Sequence, residues 1–151
     1  MNNRNVLLLS VALIAAVSIG LAQDARTERQ FFQSPQMAAL DLPFSDAVLV
    51  GDTLYLSGNG GLDVSTMSAP EDPRDEAQLM MENFKETLAL ADMTLDDLVS
   101  VTIYSPDLSL YNDFNEVYRS YFEGDLPARA FIGSGPLLFG MRFEMQAIAV
   151  R

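Results

Sequence analysis

The spacing of apolar side chains divides the chain into segments of strand and helix period. Asp46-Ala47-Val48-Leu49-Val50 and Thr53-Leu54-Tyr55-Leu56-Ser57-Gly58 are β-prone runs separated by Gly51-Asp52, which predicts a hairpin. Asn59-Gly60-Gly61-Leu62-Asp63 follows; its glycines permit unusual backbone conformations and read either as a loop lining a ligand site or as a tight exit from the strand. Beyond a surface loop at 64–71, Asp72-Pro73 predicts a helix start. Asp72 caps it, Pro73 takes the first helical position, and Asp75 and Glu76 lie in the first turn where the dipole favours acids. Ala77, Met80, Met81, Phe84, Leu88 and Ala91 then share one face of an amphipathic helix of about 18 residues.

Val99-Ser100-Val101-Thr102-Ile103-Tyr104 alternates, so one face is buried and the other carries Ser100, Thr102 and Tyr104. Ser105-Pro106-Asp107 breaks this strand, and a second helix starts near Ser109 with Leu110, Phe114, Val117, Tyr118, Tyr121 and Phe122 as its buried stripe. Asn115 lies beside that stripe, a position more typical of a surface residue. Pro127 rigidifies the next approach and biases Leu126 to extended geometry, which puts Arg129 at the mouth of a strand. In the closing strand, Met141 to Val150, Phe143, Met145, Ala147 and Ala149 take one side, and Arg142, Glu144 and Gln146 the other. For Arg142 this pattern supports no more than an ion pair with a surface acid. The order β-β-α-β-α-β-β gives an α+β fold with both helices on one face of a mixed sheet. The face carrying Ser100, Thr102, Glu144 and Gln146 has no helical cover, which invites oligomerisation.

The N-terminus breaks this pattern. Val6 to Ala22 is almost unbroken apolar sequence after a short start containing Arg4, and it ends in the small residues Gly20-Leu21-Ala22. Residues 1–22 are therefore expected to be a signal peptide cleaved after Ala22, with export to the periplasm or beyond; a retained membrane anchor is the alternative. Residues 23–41 read as a linker or loosely packed arm, and 42–151 as the domain.

Composition narrows the chemistry. The net charge is −12, and loss of Arg4 with the signal makes it −13, so a phosphate backbone is repelled and nucleic-acid binding is disfavoured. With no histidine and no cysteine there is no Ser-His or Cys-His pair, no zinc site of the usual ligands and no disulfide. The single lysine, Lys85, falls on a helix between Glu82 and Glu86, where a solvated ion pair is expected. Carboxylates, arginine, hydroxyls, amides and backbone groups are left to do any polar chemistry.

Several blocks fall in register with a known family. Leu42-Pro43-Phe44-Ser45-Asp46-Ala47-Val48 with Gly51-Asp52, Leu56-Ser57-Gly58-Asn59, Asp107-Leu108 with Asn115-Glu116-Val117-Tyr118, Pro127-Ala128-Arg129, and Phe143 to Val150 resemble the RidA (YjgF) family of enamine/imine deaminases over residues 42–150. The resemblance implies a chorismate-mutase-like fold, a homotrimer packed through its uncovered sheet faces, and clefts between subunits. It further implies hydrolysis of 2-imino or enamine acids to 2-keto acids and ammonia with no metal or cofactor. Position by position, Arg129 matches the arginine that grips the substrate carboxylate, and Glu144 the acid that orients the attacking water. Asn115 matches a helix asparagine near the site, and Gly58 with Asn59 the loop lining it.

The departures are Phe44 where tyrosine is common, Phe131 where a small Cys or Ser is common, and Gln146 in place of a second acid. Phe44 removes a hydroxyl, and Phe131 is expected to reshape the pocket toward a smaller or more apolar ligand. Two readings follow: a deaminase acting on a small carboxylate-bearing substrate, or a non-catalytic ligand-binding or protein-stabilising trimer that keeps the arginine cleft.

Overall fold

A computed structural model describes residues 28–151. The expected export segment, 1–22, lies outside the described residues, among which no helix is long and apolar enough to cross a membrane. The strands are β1 (Arg29–Phe32), β2 (Ala47–Val50), β3 (Thr53–Gly60), β4 (Leu98–Ser105), β5 (Ala128–Gly133) and β6 (Glu144–Val150). The helices are α1 (Pro35–Ala38), α2 (Pro73–Ala89) and α3 (Tyr111–Ser120), with single 3-10 turns at Leu95–Asp97, Leu108–Leu110 and Leu138–Gly140.

The hairpin forms at the expected turn, with Val50 opposite Thr53 and Gly51 at φ 61°. Six strands make one sheet in the order β1-β2-β3-β6-β4-β5. Only β4 and β5 run parallel, joined by α3 as their crossover; the remaining pairs are antiparallel. This is the mixed α+β sheet that the periodicities predict.

Helix α2 starts on its Asp72 cap, which accepts from Arg74 N at 2.7 Å, and buries Ala77, Met80, Met81, Phe84 and Leu88. Phe114, Val117 and Tyr118 of α3 join the same core, against Leu54, Leu56, Val101, Ile103, Met145 and Ala147 of the sheet. Both helices thus cover one face. Ser100, Thr102, Tyr104, Glu144 and Ile148 on the other face are only half-buried, and Tyr55 and Gln146 are exposed.

Two segments carry more structure than their sequence announces. Within the stretch read as an arm, β1 adds an edge strand to β2, and α1 is capped by Ser34, whose backbone N–H donates to Asp46 Oδ2 at 2.7 Å. Glu76, expected as a solvated first-turn acid, is fully buried. It accepts from the backbone N–H of Arg142 at 2.5 Å and of Phe143 at 3.0 Å, and pairs with Arg142 Nη1 at 2.7 Å. Arg142 also donates to the carbonyls of Pro70 and Glu71. Its partner is therefore a core acid and not a surface one. The reason is that β6 begins at Glu144, so Arg142 precedes the strand and escapes its alternation.

Candidate active site

The residues singled out by sequence separate into two groups on opposite faces of the sheet. Arg129 lies beside Val101 and Phe131 beside Ile103 in the parallel β4–β5 pairing, and Val101 and Ile103 are core residues under the helices. Glu144 lies opposite Tyr104 and Gly60, on the face without helical cover. A parallel crossover sets the first register and an antiparallel pair the second, and the two-residue period of a strand turns the side chains to opposite sides.

On the helix side, Arg129 is half-buried among the rings of α3. Its Cζ sits 4.6 Å from the centroid of Tyr118, 5.7 Å from Phe114 and 5.9 Å from Tyr111. Its Nη2 donates to Asn115 Oδ1 at 2.5 Å, so Asn115 does face the site although it flanks the apolar stripe. Among the described residues no carboxylate lies within ion-pair distance of Arg129, and Asn115 is the only acceptor of its side-chain N–H groups. A surface ion pair, the plain structural use of such an arginine, is not made here; Lys85 and Glu82 do make theirs, at 2.8 Å.

The same environment shifts two phenols in opposite directions. Burial pushes Tyr118 up to about 12 against the opposing pull of the Arg129 charge. Tyr111 is held below its ordinary value, first by the Asn115 side chain and then by the Arg129 charge. Phe131 packs edge-on against Tyr111 and Phe114, at 5.1 and 5.4 Å between centroids. It therefore walls the arginine side, where sequence reasoning expected it to reshape a common pocket.

On the open side, Glu144 projects over β3. The β3–β6 register slips by one residue between Leu56 and Asn59, so Ser57 and Gly58 form a bulge under the carboxylate. A Cβ on Gly58 would lie 3.2 Å from Glu144 Cδ and collide with Oε1. Gly60 and Gly61 likewise have no room for a side chain, against Met141 and Glu76. These glycines answer to space: the positive-φ glycines are Gly51 and Gly140. The segment is also strand to Gly60, not the loop expected from its composition.

Glu144, Gly58, Asn59 and Phe44 line a cleft of about 490 Å³, open to solvent. Arg129, Asn115 and Phe131 do not border it. Four of the expected site residues therefore gather at one place and three at another. Glu144 and Arg129 can reach a single small molecule only if a second copy supplies one of them. The described residues contain no cluster of acids arranged to hold a metal ion.

An α+β sheet with helices on one face, an unpaired arginine at its edge and a carboxylate over a glycine bulge defines a small-molecule-binding protein of the chorismate-mutase-like class. Residues 35–151 match the family model described as Endoribonuclease L-PSP, and the chain belongs to that family, the RidA/YjgF proteins. It is 38% identical to mouse 2-iminobutanoate/2-iminopropanoate deaminase over 110 residues, 72% of this chain and 82% of the mouse protein. Among solved structures, RidA from the Antarctic bacterium Psychrobacter sp. superposes with a TM-score of 0.75 at 32% identity, covering 81% of this chain and 99% of that one. Escherichia coli TdcF with bound serine gives 0.69 at 29% identity, over 73% and 89%.

Proposed function

We propose that the protein hydrolyses 2-imino or enamine acids to 2-keto acids and ammonia, in a cleft completed between subunits of a homotrimer. The observation that carries this reading is Arg129, half-buried, held by Asn115 and aromatic rings, and without a carboxylate partner among the described residues. A guanidinium held this way suits the two oxygens of a substrate carboxylate. TdcF, whose structure holds serine, and the relatives named as 2-imino acid deaminases support a small carboxylate-bearing ligand.

In this reading Arg129 of one subunit fixes the carboxylate, and Glu144 of a neighbour faces C2. Glu144 accepts a proton from water as the water oxygen bonds to C2 of the imine. That proton passes to nitrogen, the C–N bond breaks, ammonia leaves and C2 becomes the keto carbon. Gly58 lets the carboxylate lie close over the strand, and Asn59 lines the approach.

Keto-acid release from 2-iminopropionate or 2-iminobutyrate generated in situ tests the proposal. Wild type accelerates release over buffer and Arg129→Ala does not; no acceleration by wild type with any imino acid contradicts it. One observation favours a non-catalytic binder as the second reading: Phe44 stands beside Glu144 with no hydroxyl to offer substrate or water. For that reading, keto acids bind in an Arg129-dependent way while release stays at the buffer rate. The family description names an endoribonuclease, but a net charge of −12 opposes the approach of RNA to this chain. Export through residues 1–22 belongs to the same proposal, and N-terminal sequencing of exported protein checks cleavage after Ala22.

A further inference from the structure

The geometry points to imino acids with a bulky apolar side chain, of leucine, methionine or phenylalanine type, as the preferred substrate class; this rests on the deaminase reading above. The Glu144 cleft holds about 490 Å³, within the range of sites for whole small molecules and far more than the methyl group of an alanine-derived imine fills. Away from the Glu144 and Gly58–Asn59 end its walls are apolar, with Phe44, Leu62, Met67, Leu138, Phe139 and Met141 facing the space. The polar groups stand at one end and the apolar walls at the other. A molecule with its reacting carbon beside Glu144 and a hydrocarbon tail matches that division.

The backbone supports the same assignment. Of the four non-glycine residues with positive φ among the described residues, Met67 at 53° and Phe139 at 56° line the cleft. A third, Asp41 at 51°, lies between the lining residues Leu40 and Leu42. Such conformations cost energy in a side-chain-bearing residue and gather at ligand sites. Here they hold two large apolar side chains at an open rim, Phe139 54% and Met67 39% exposed, where folding alone gains little from them.

Each buried methylene contributes about fourfold to selection at an apolar wall. The ratio of kcat/KM for the leucine-derived over the alanine-derived imino acid is therefore expected to be about tenfold or more. The test generates both imines in situ with an amino-acid oxidase and measures keto-acid release by wild type and by Met67→Asp, with light scattering of each protein. A preference for the larger imine that collapses in Met67→Asp at unchanged oligomeric state bears the inference out. Equal rates, or preference for the smaller imine, overturn it while leaving the deaminase reading intact. Hydrolysis of neither imine overturns both. A Met67→Asp protein that changes subunit number marks the cleft as a contact between copies and also overturns the inference.

Discussion

Arg129 and Glu144 stand on opposite faces of one sheet, the first beside core Val101 on β4, the second opposite Tyr104 on the uncovered side. Neither borders the other's surroundings within a subunit. If both serve one substrate, they do so across a subunit boundary, and association is then part of the chemistry as well as of stability.

Arg129→Lys keeps the charge and loses the planar fork. Carboxylate binding is expected to weaken by ~1–3 kcal/mol, the scale of charge-assisted hydrogen bonds. Titration calorimetry with a 2-keto acid reads this directly. Affinity unchanged by the swap argues against two-point capture.

Gly58→Ala sets a methyl where Glu144 Oε1 now lies. The carboxylate must move while the β3 strand can stay, so the change acts on the site more than on the fold. A fall of about 10²-fold in kcat/KM is expected, the scale of an ångström's misplacement of a reacting group. Thermal melting separates the alternatives: a loss of activity matched by global unfolding would show that the bulge is merely structural.

Glu76→Ala leaves Arg142 without its carboxylate and the backbone N–H groups of Arg142 and Phe143 without their acceptor in the core. Removing one member of a buried pair costs about 3–5 kcal/mol. Denaturant unfolding of the variant should show a loss of that order. A loss below about 1 kcal/mol would mean that water or Arg142 readily replaces the contact.

Tyr118 Oη is buried without a hydrogen-bond partner, and burial raises its phenol to about 12. The sign follows from linkage: the folded state holds this proton more tightly, so its stabilising contribution is complete below pH ~10 and is lost as pH rises through about 12. Tyr118→Phe removes both the orphaned hydroxyl and that titration. Stability at neutral pH is expected to hold or rise by up to ~1 kcal/mol, with a shallower fall between pH 10 and 12. Tyr121, also raised to about 12, retains part of the fall. A Tyr118→Phe protein destabilised by more than ~1 kcal/mol at neutral pH would reveal a partner for the hydroxyl.

Local patterning made much of the fold legible. The Gly51-Asp52 turn, the Asp72-Pro73 start of α2 and the stripe on α3 are set by residues near in sequence, and each forms where its chemistry directs. What escaped depends on distant partners. Arg29-Gln30-Phe31-Phe32 has no alternating pattern and becomes strand only by pairing with β2. Glu76 carries the composition of a solvated cap-proximal acid, and only the approach of residues 142 and 143 buries it. The site residues were legible one by one through the family resemblance. Their division between two faces was not, because it depends on the β4–β5 and β3–β6 registers and on a one-residue bulge that no local signal fixes.

Mixing subunits tests the central claim most directly. Arg129→Ala and Glu144→Ala proteins, each inactive alone, are unfolded together in equal amounts, refolded and assayed for imino-acid hydrolysis. A site shared between neighbours in a closed ring joins an intact arginine to an intact glutamate in about one quarter of the interfaces, so activity should return to about a quarter of wild type. A mixture no more active than its separate components would contradict a site built from Arg129 of one subunit and Glu144 of the next.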